Sequence, residues 1–271
     1  MEIRASDGVR LFAEAHGEGI PLVLSCAYCT THENFRPQVD PLVRAGMRVV
    51  LWDYRGHGRS EAPADPTAYS MDQVVDDLAR VADLASPDRP VVLGGLSFGG
   101  LASLHLALLR PERVRALVLV GSGPGFKNAD AQARWETMVE RTASFVEKHG
   151  CAAFVASKAS ATLVGRNPEL PAAKAAGRAI AAQDPRGLAN FGRRVSGPAA
   201  SVIDDLGRIE VPTLVLVGEL DEGYHRAAEM MAARIPKARR VVVPGAGHIA
   251  NIEAQEAFDR AVIGFLQGLA G

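Results

Sequence analysis

Short apolar runs recur along the chain, separated by stretches whose apolar residues repeat with helical period. "VRLFAEAHG" (9–17) alternates as a strand does, while "IPLVLS" (20–25) and "MRVVLW" (47–52) are continuous runs suited to strands buried on both faces. Further strands are expected at "PVVLGG" (90–95), "VRALVLVG" (114–121), "PTLVLVG" (212–218) and "RRVVVPG" (239–245). Between them the pattern predicts helices over about 34–44, 71–85, 97–109, 224–234 and 253–268. Ser70 and Gln73 have the spacing of a capping box, opening a helix whose apolar stripe is Val74, Leu78, Val81 and Leu84. This alternation predicts an α/β fold, with a mostly parallel sheet and helices on both faces.

The strand rhythm stops between about 124 and 209. That segment is alanine-rich and helical in pattern, interrupted by Gly165, Pro168, Pro171, Gly187, Gly197 and Pro198. It predicts a helical insertion at 124–209 over one edge of the sheet, between core segments 1–123 and 210–271; the alternative is two more packing helices. A chain of 271 residues, 48% hydrophobic and 23% charged, can bury the core that one such large unit needs.

Charge narrows the partners. A net charge of −1, with both signs interspersed, gives no electrostatic case for nucleic acid or a membrane surface, which leaves a small molecule as the expected partner. The start, "MEIRASDGVR", is charged from its second residue and lacks the apolar region of a secretory signal, so a cytoplasmic location is expected. Residues 91–109 carry no formal charge over about the length a bilayer needs. Their glycines and the polar Ser97, Ser103 and His105 fit a buried strand and helix better. Either a monomer or a homodimer is compatible with the pattern.

In "LSCAYCTTHE" (24–33), Cys26 and Cys29 are spaced C-x-x-C, with His32 three residues on. A redox pair needs its first cysteine at a helix N-terminus to lower the thiol pKa, but here no helix is expected until about residue 34. A zinc site needs a fourth ligand, and none is near. Packed free thiols, and no metal, are expected.

"GLSFG" (95–99) lies between an expected strand and an expected helix. A serine flanked two residues away on each side by glycine, on a strand-to-helix turn, is the nucleophile-elbow pattern. The turn strains Ser97 and projects its hydroxyl, and only small residues at 95 and 99 permit the close approach. A serine hydroxyl needs a general base, itself oriented by an acid. Of seven histidines, His248 in "PGAGHIANIE" follows a strand in a Gly-rich loop, where open α/β sheets assemble their sites. His57 in "RGHGRS" is its competitor; His16 and His105 read as packing residues. Asp221 in "VGELDEGY" is the candidate acid, with Glu219 and Glu222 as alternates and Asp53 as a structural carboxylate for the loop after 47–52.

Together "GLSFG", "LWDYRGHGRS", "VPTLVLVGELD" and "VVVPGAGH", in that order, resemble the α/β-hydrolase superfamily over roughly 20–122 and 210–268. The resemblance implies an eight-stranded, mostly parallel sheet, a helical cap between strands six and seven, and a triad of Ser97, Asp221 and His248. It also implies backbone N–H donors for an oxyanion from Tyr28 and from Phe98, the residue after the nucleophile. Cys26 and Ala27 stand where many members have His-Gly. The loop "SCAYCT" is similar to the Ser-Asn-Ser-Leu-Gly-Thr loop of the 3-oxoadipate enol-lactonase branch, which points to esters and lactones. Serine at 97 argues against the haloalkane dehalogenase and epoxide hydrolase branches, which use a carboxylate there, and the elbow differs from the Gly-Gly-Ser-Trp-Gly of proline iminopeptidases.

The expectation is a serine hydrolase acting on an ester or lactone of a small to medium, largely apolar substrate. Hydrolysis of a C–C or amide bond, perhydrolysis, or ligand sensing with slow turnover could use the same constellation. No phosphate loop, dinucleotide fingerprint or metal-ligand set is present in the sequence, so no cofactor is expected. Trp135, Met138, Phe145, Phe154 and Phe191 are the large apolar residues of 124–209, expected to hold its helices together or to line a pocket.

Overall fold

A computed structural model describes residues 2–269. Met1, Ala270 and Gly271, the outer ends of the two expected core segments, lie outside the described residues. Eight strands form one sheet: β1 (Glu2–Arg4), β2 (Arg10–His16), β3 (Ile20–Ser25), β4 (Met47–Trp52), β5 (Val91–Leu96), β6 (Val114–Val120), β7 (Thr213–Gly218) and β8 (Ala238–Val243). Their order is β1-β2-β4-β3-β5-β6-β7-β8; β2 pairs antiparallel with both β1 and β4, and every other pairing is parallel.

The continuous apolar runs are strands covered on both faces. Leu22 and Leu24 of β3 join Val49 and Leu51 of β4 in the core on one face. Val23 joins Val50 and Trp52 on the other, as the two-residue period of a strand requires. Helices α1 (Val39–Arg44), α2 (Met71–Ala85), α3 (Phe98–Leu109), α7 (His225–Arg234), α8 (Ala250–Glu253) and α9 (Gln255–Gln267) cover these faces. The uncharged stretch 91–109 is β5 followed by α3, and among the described residues no helix is long and apolar enough to cross a membrane.

Three local expectations are corrected. The helix expected over 34–44 is a 3-10 segment, His32–Gln38, followed by α1, because Pro37 lies inside the first and cannot donate to a helical ladder. Its capping box is formed by Thr31 and Asn34. At Ser70 only half of the expected box forms: Ser70 accepts the Gln73 amide at 3.2 Å, while the Gln73 side chain turns to Asp7 at 3.1 Å. The last helix is broken at Ala254, whose φ of −137° and ψ of 56° are not helical.

Between β6 and β7 lie only helices: α4 (Ala129–Val155), α5 (Pro171–Ala181) and α6 (Pro185–Phe191), with short 3-10 and π turns. Helix α4 is interrupted at Gly150, whose φ of 80° lies in the left-handed region. Arg193 ties the π turn Gly192–Ser196 to α4 through Glu140 and Glu147, each at 2.8 Å.

Candidate active site

Ser97 joins β5 to α3 with φ 53° and ψ −114°, a left-handed conformation costly for a residue with a Cβ. The flanking glycines allow it by steric necessity. A Cβ on Gly95 would overlap the Gly99 carbonyl carbon, and one on Gly99 would overlap the Ser25 carbonyl oxygen. The Ser97 amide donates to the Val120 carbonyl at 2.8 Å, and Ser122 Oγ donates to the Ser97 carbonyl at 2.7 Å, so the strained turn is held from β6. Helix α3 then directs the positive end of its dipole to the serine side of the turn.

The other candidates come from neighbouring strand ends. Asp221 follows β7 and His248 follows β8; Asp221 Oδ2 accepts from His248 Nδ1 at 2.9 Å. A carboxylate on Nδ1 fixes the ring so that Nε2 is the free acceptor. Gly121 gives this pair its room, since a Cβ there would lie 3.1 Å from both Asp221 Oδ2 and His248 Nδ1. Neither alternate acid takes this place: Glu219 accepts the Gly245 amide at 2.8 Å, and Glu222 is exposed. Ser97 Oγ is bonded to Tyr224 Oη at 3.3 Å; among the described residues no Ser97–His248 hydrogen bond is formed.

His57 is committed elsewhere. Its Nδ1 donates to the Arg55 carbonyl at 3.3 Å and its Nε2 accepts the Cys29 amide at 3.2 Å. Burial pushes its pKa down to about 4. Asp53 accepts the Arg59 amide at 2.9 Å and the His32 amide at 2.8 Å, the role of a turn-building carboxylate.

Cys26 and Cys29 are free and buried. Burial pushes both thiols up, away from the thiolate that redox or metal chemistry requires. His32 spends Nδ1 on Asp53 Oδ2 at 2.7 Å. The loop's more telling feature is Cys29, which holds φ at 68°. Among the described residues, the amides of Tyr28 and Phe98 have no hydrogen-bond acceptor in the protein. Phe191 of α6 stacks on Tyr28 with ring centroids 6.0 Å apart and meets Phe98 edge-on at 5.1 Å. Of the large apolar residues of 124–209, Phe191 thus lies against the candidate oxyanion loop, whereas Met138 is half exposed.

A cleft of about 950 Å³ lies at the other end of the strands, lined by residues such as Ile20, Arg48, Pro90 and Arg115. Size alone does not locate chemistry here, because the serine and the His–Asp pair sit at the carboxyl ends of the strands.

The profile of the alpha/beta hydrolase fold family matches residues 20–255. This chain belongs to that family. Among its relatives is a Bacillus subtilis protein provisionally named a 2-succinyl-6-hydroxy-2,4-cyclohexadiene-1-carboxylate synthase, 28% identical over 99% of each chain. Another is 3-oxoadipate enol-lactonase 1 of Acinetobacter baylyi, 27% identical over 92% of this chain and 89% of the relative. Among solved structures, a thermophilic esterase from Thermogutta terrifontis superposes with a TM-score of 0.87 at 26% identity, covering 99% of each chain.

Sequence reasoning missed three residues that shape the site of this alpha/beta hydrolase. Tyr224, besides meeting Ser97, lays its ring on His248 with centroids 4.7 Å apart and an interplanar angle of 28°. Glu253 accepts the amides of Gly247 at 3.0 Å and Ile249 at 3.2 Å, holding the backbone on either side of His248. Gln183 reaches the Cys29 carbonyl from the end of α5. Tyr224 had a local signal, lying three residues beyond Asp221; the other two had none.

Proposed function

We propose that this alpha/beta hydrolase cleaves a carboxylic ester or lactone of a small to medium, largely apolar substrate through an acyl-enzyme on Ser97. The observation that carries the reading is the strained Ser97 elbow beside the Asp221–His248 pair, with unpaired amides at Tyr28 and Phe98. In this reading Ser97 Oγ comes within reach of His248 Nε2 with the Tyr224 hydroxyl still beside it, and attacks the acyl carbon as its proton passes to Nε2. Asp221 holds the imidazole tautomer and supports the imidazolium. The Tyr28 and Phe98 amides stabilise the tetrahedral oxyanion. His248 returns the proton to the leaving oxygen, and water, activated by the same base, releases the acyl group. The mechanism uses protein groups and water alone.

The helical segment at 124–209 serves as the cap in this reading, and Phe191 is its inner wall. The names of the enol-lactonase and esterase relatives support an ester or lactone substrate. The synthase name of the Bacillus relative makes the product the decisive observation. A panel of p-nitrophenyl esters and lactones, run in ¹⁸O-labelled water, tests the proposal: turnover with label in the released acid is expected, and its loss in Ser97→Ala. Undiminished turnover in Ser97→Ala would overturn the acyl-enzyme.

A further inference from the structure

Tyr224 touches both partners of the proton transfer. Its hydroxyl is 3.3 Å from Ser97 Oγ, and its ring lies nearly parallel to the His248 imidazole at a centroid distance of 4.7 Å. A residue needed only to fill space beside the histidine would do so as phenylalanine; here the phenol oxygen is placed on the nucleophile. Resting on the acyl-enzyme reading above, we propose that Tyr224 is a further catalytic residue, a permanent hydrogen-bond donor to Ser97 Oγ whenever that oxygen carries developing negative charge.

The electron and proton accounting gives the phenol a part in both half-reactions. In acylation the Oγ–H bond breaks, its proton goes to His248 Nε2, and the Oγ–carbon bond forms. Oγ is most anionic before that bond is complete, and a second donor then lowers the barrier. In deacylation water gives a proton to Nε2 as its oxygen bonds to the acyl carbon; the Oγ–carbon bond then breaks, and Oγ is again anionic until Nε2 passes it that proton. Tyr224 keeps its own proton throughout. Burial pushes its phenol pKa up, so it stays a donor as Ser97 loses its proton. The ring contributes separately: an aromatic face against imidazole favours the imidazolium that exists only during the transfer.

The test compares Tyr224→Phe, which removes only the oxygen, with wild type in pre-steady-state hydrolysis of a p-nitrophenyl ester. Melting temperature serves as the fold control, and Tyr224→Leu as a second variant that also removes the ring. Both the burst rate and the steady-state rate should fall in Tyr224→Phe by roughly tenfold or more, with the substrate concentration for half-saturation of the burst little changed. Tyr224→Leu should be slower still. Burst and steady-state rates equal to or above wild type in Tyr224→Phe would overturn the proposal. Failure of the underlying acyl-enzyme reading would look different, because wild type itself would then show no burst.

Discussion

Gln183 donates from Nε2 to the Cys29 carbonyl at 2.9 Å, and its Oε1 accepts the Gly58 amide at 2.9 Å. With the Cys29 amide held on His57 Nε2 at 3.2 Å, both polar backbone groups of a left-handed residue are fixed by side chains from other parts of the chain. The residue so held follows Tyr28, whose own hydroxyl donates to the Leu188 carbonyl at 3.1 Å. The helical segment therefore grips the loop whose Tyr28 amide is the proposed oxyanion donor.

Gln183→Leu should strip both bonds while keeping bulk. Each buried backbone group left unpaired costs about 1–3 kcal/mol. The expected outcome is a kcat lowered by roughly tenfold or more, the loss associated with an impaired oxyanion donor. KM should move less. Steady-state kinetics check this; an unchanged kcat would show that the Tyr28 amide is not held through Gln183.

Cys29 occupies a conformation suited to glycine, and its thiol needs no ionisation in this account. Cys29→Gly should retain most activity, with relief of backbone strain offset by the lost side chain. Cys29→Val, β-branched at φ 68°, should lose stability by about 1–3 kcal/mol and activity with it. Cys26→Ser should stay largely active. Denaturant titration and ester hydrolysis on the three variants check the order; collapse of both Cys26→Ser and Cys29→Gly would point back to thiol chemistry.

His57 links the same loop to pH. Its ring is depressed from the ordinary 6.5 to about 4 by burial, so the unfolded chain holds the extra proton between those values. Its contribution to folding is full above the unfolded value and is lost progressively as pH falls toward 4. The gap is worth of order 3 kcal/mol. His57→Gln, which can accept the Cys29 amide without titrating, should lose less stability than wild type between neutral and mildly acidic pH. Parallel pH dependence of the two melting curves would contradict this.

How much of this was legible in the sequence follows from the range of each interaction. The buried strands announced themselves as apolar runs, and the elbow as two glycines around Ser97, because those constraints are local. β1 is only three residues long, too short for any periodicity to register. Asp221 and His248 could be placed because each directly follows a readable strand. Gln183 acts on a residue 154 positions away, and Tyr224 on one 127 away, through contacts that exist only after the sheet has formed. Thr31 caps a segment whose helical pattern Pro37 obscures.

The most direct test of the account is covalent labelling of the protein with a fluorophosphonate probe, followed by peptide mapping. The account predicts a single modified residue, Ser97, in wild type, with labelling slowed by at least about a hundredfold in His248→Ala, as removal of the general base requires. Absence of label at Ser97 in the folded wild-type protein, or equal labelling rates in His248→Ala, would contradict it.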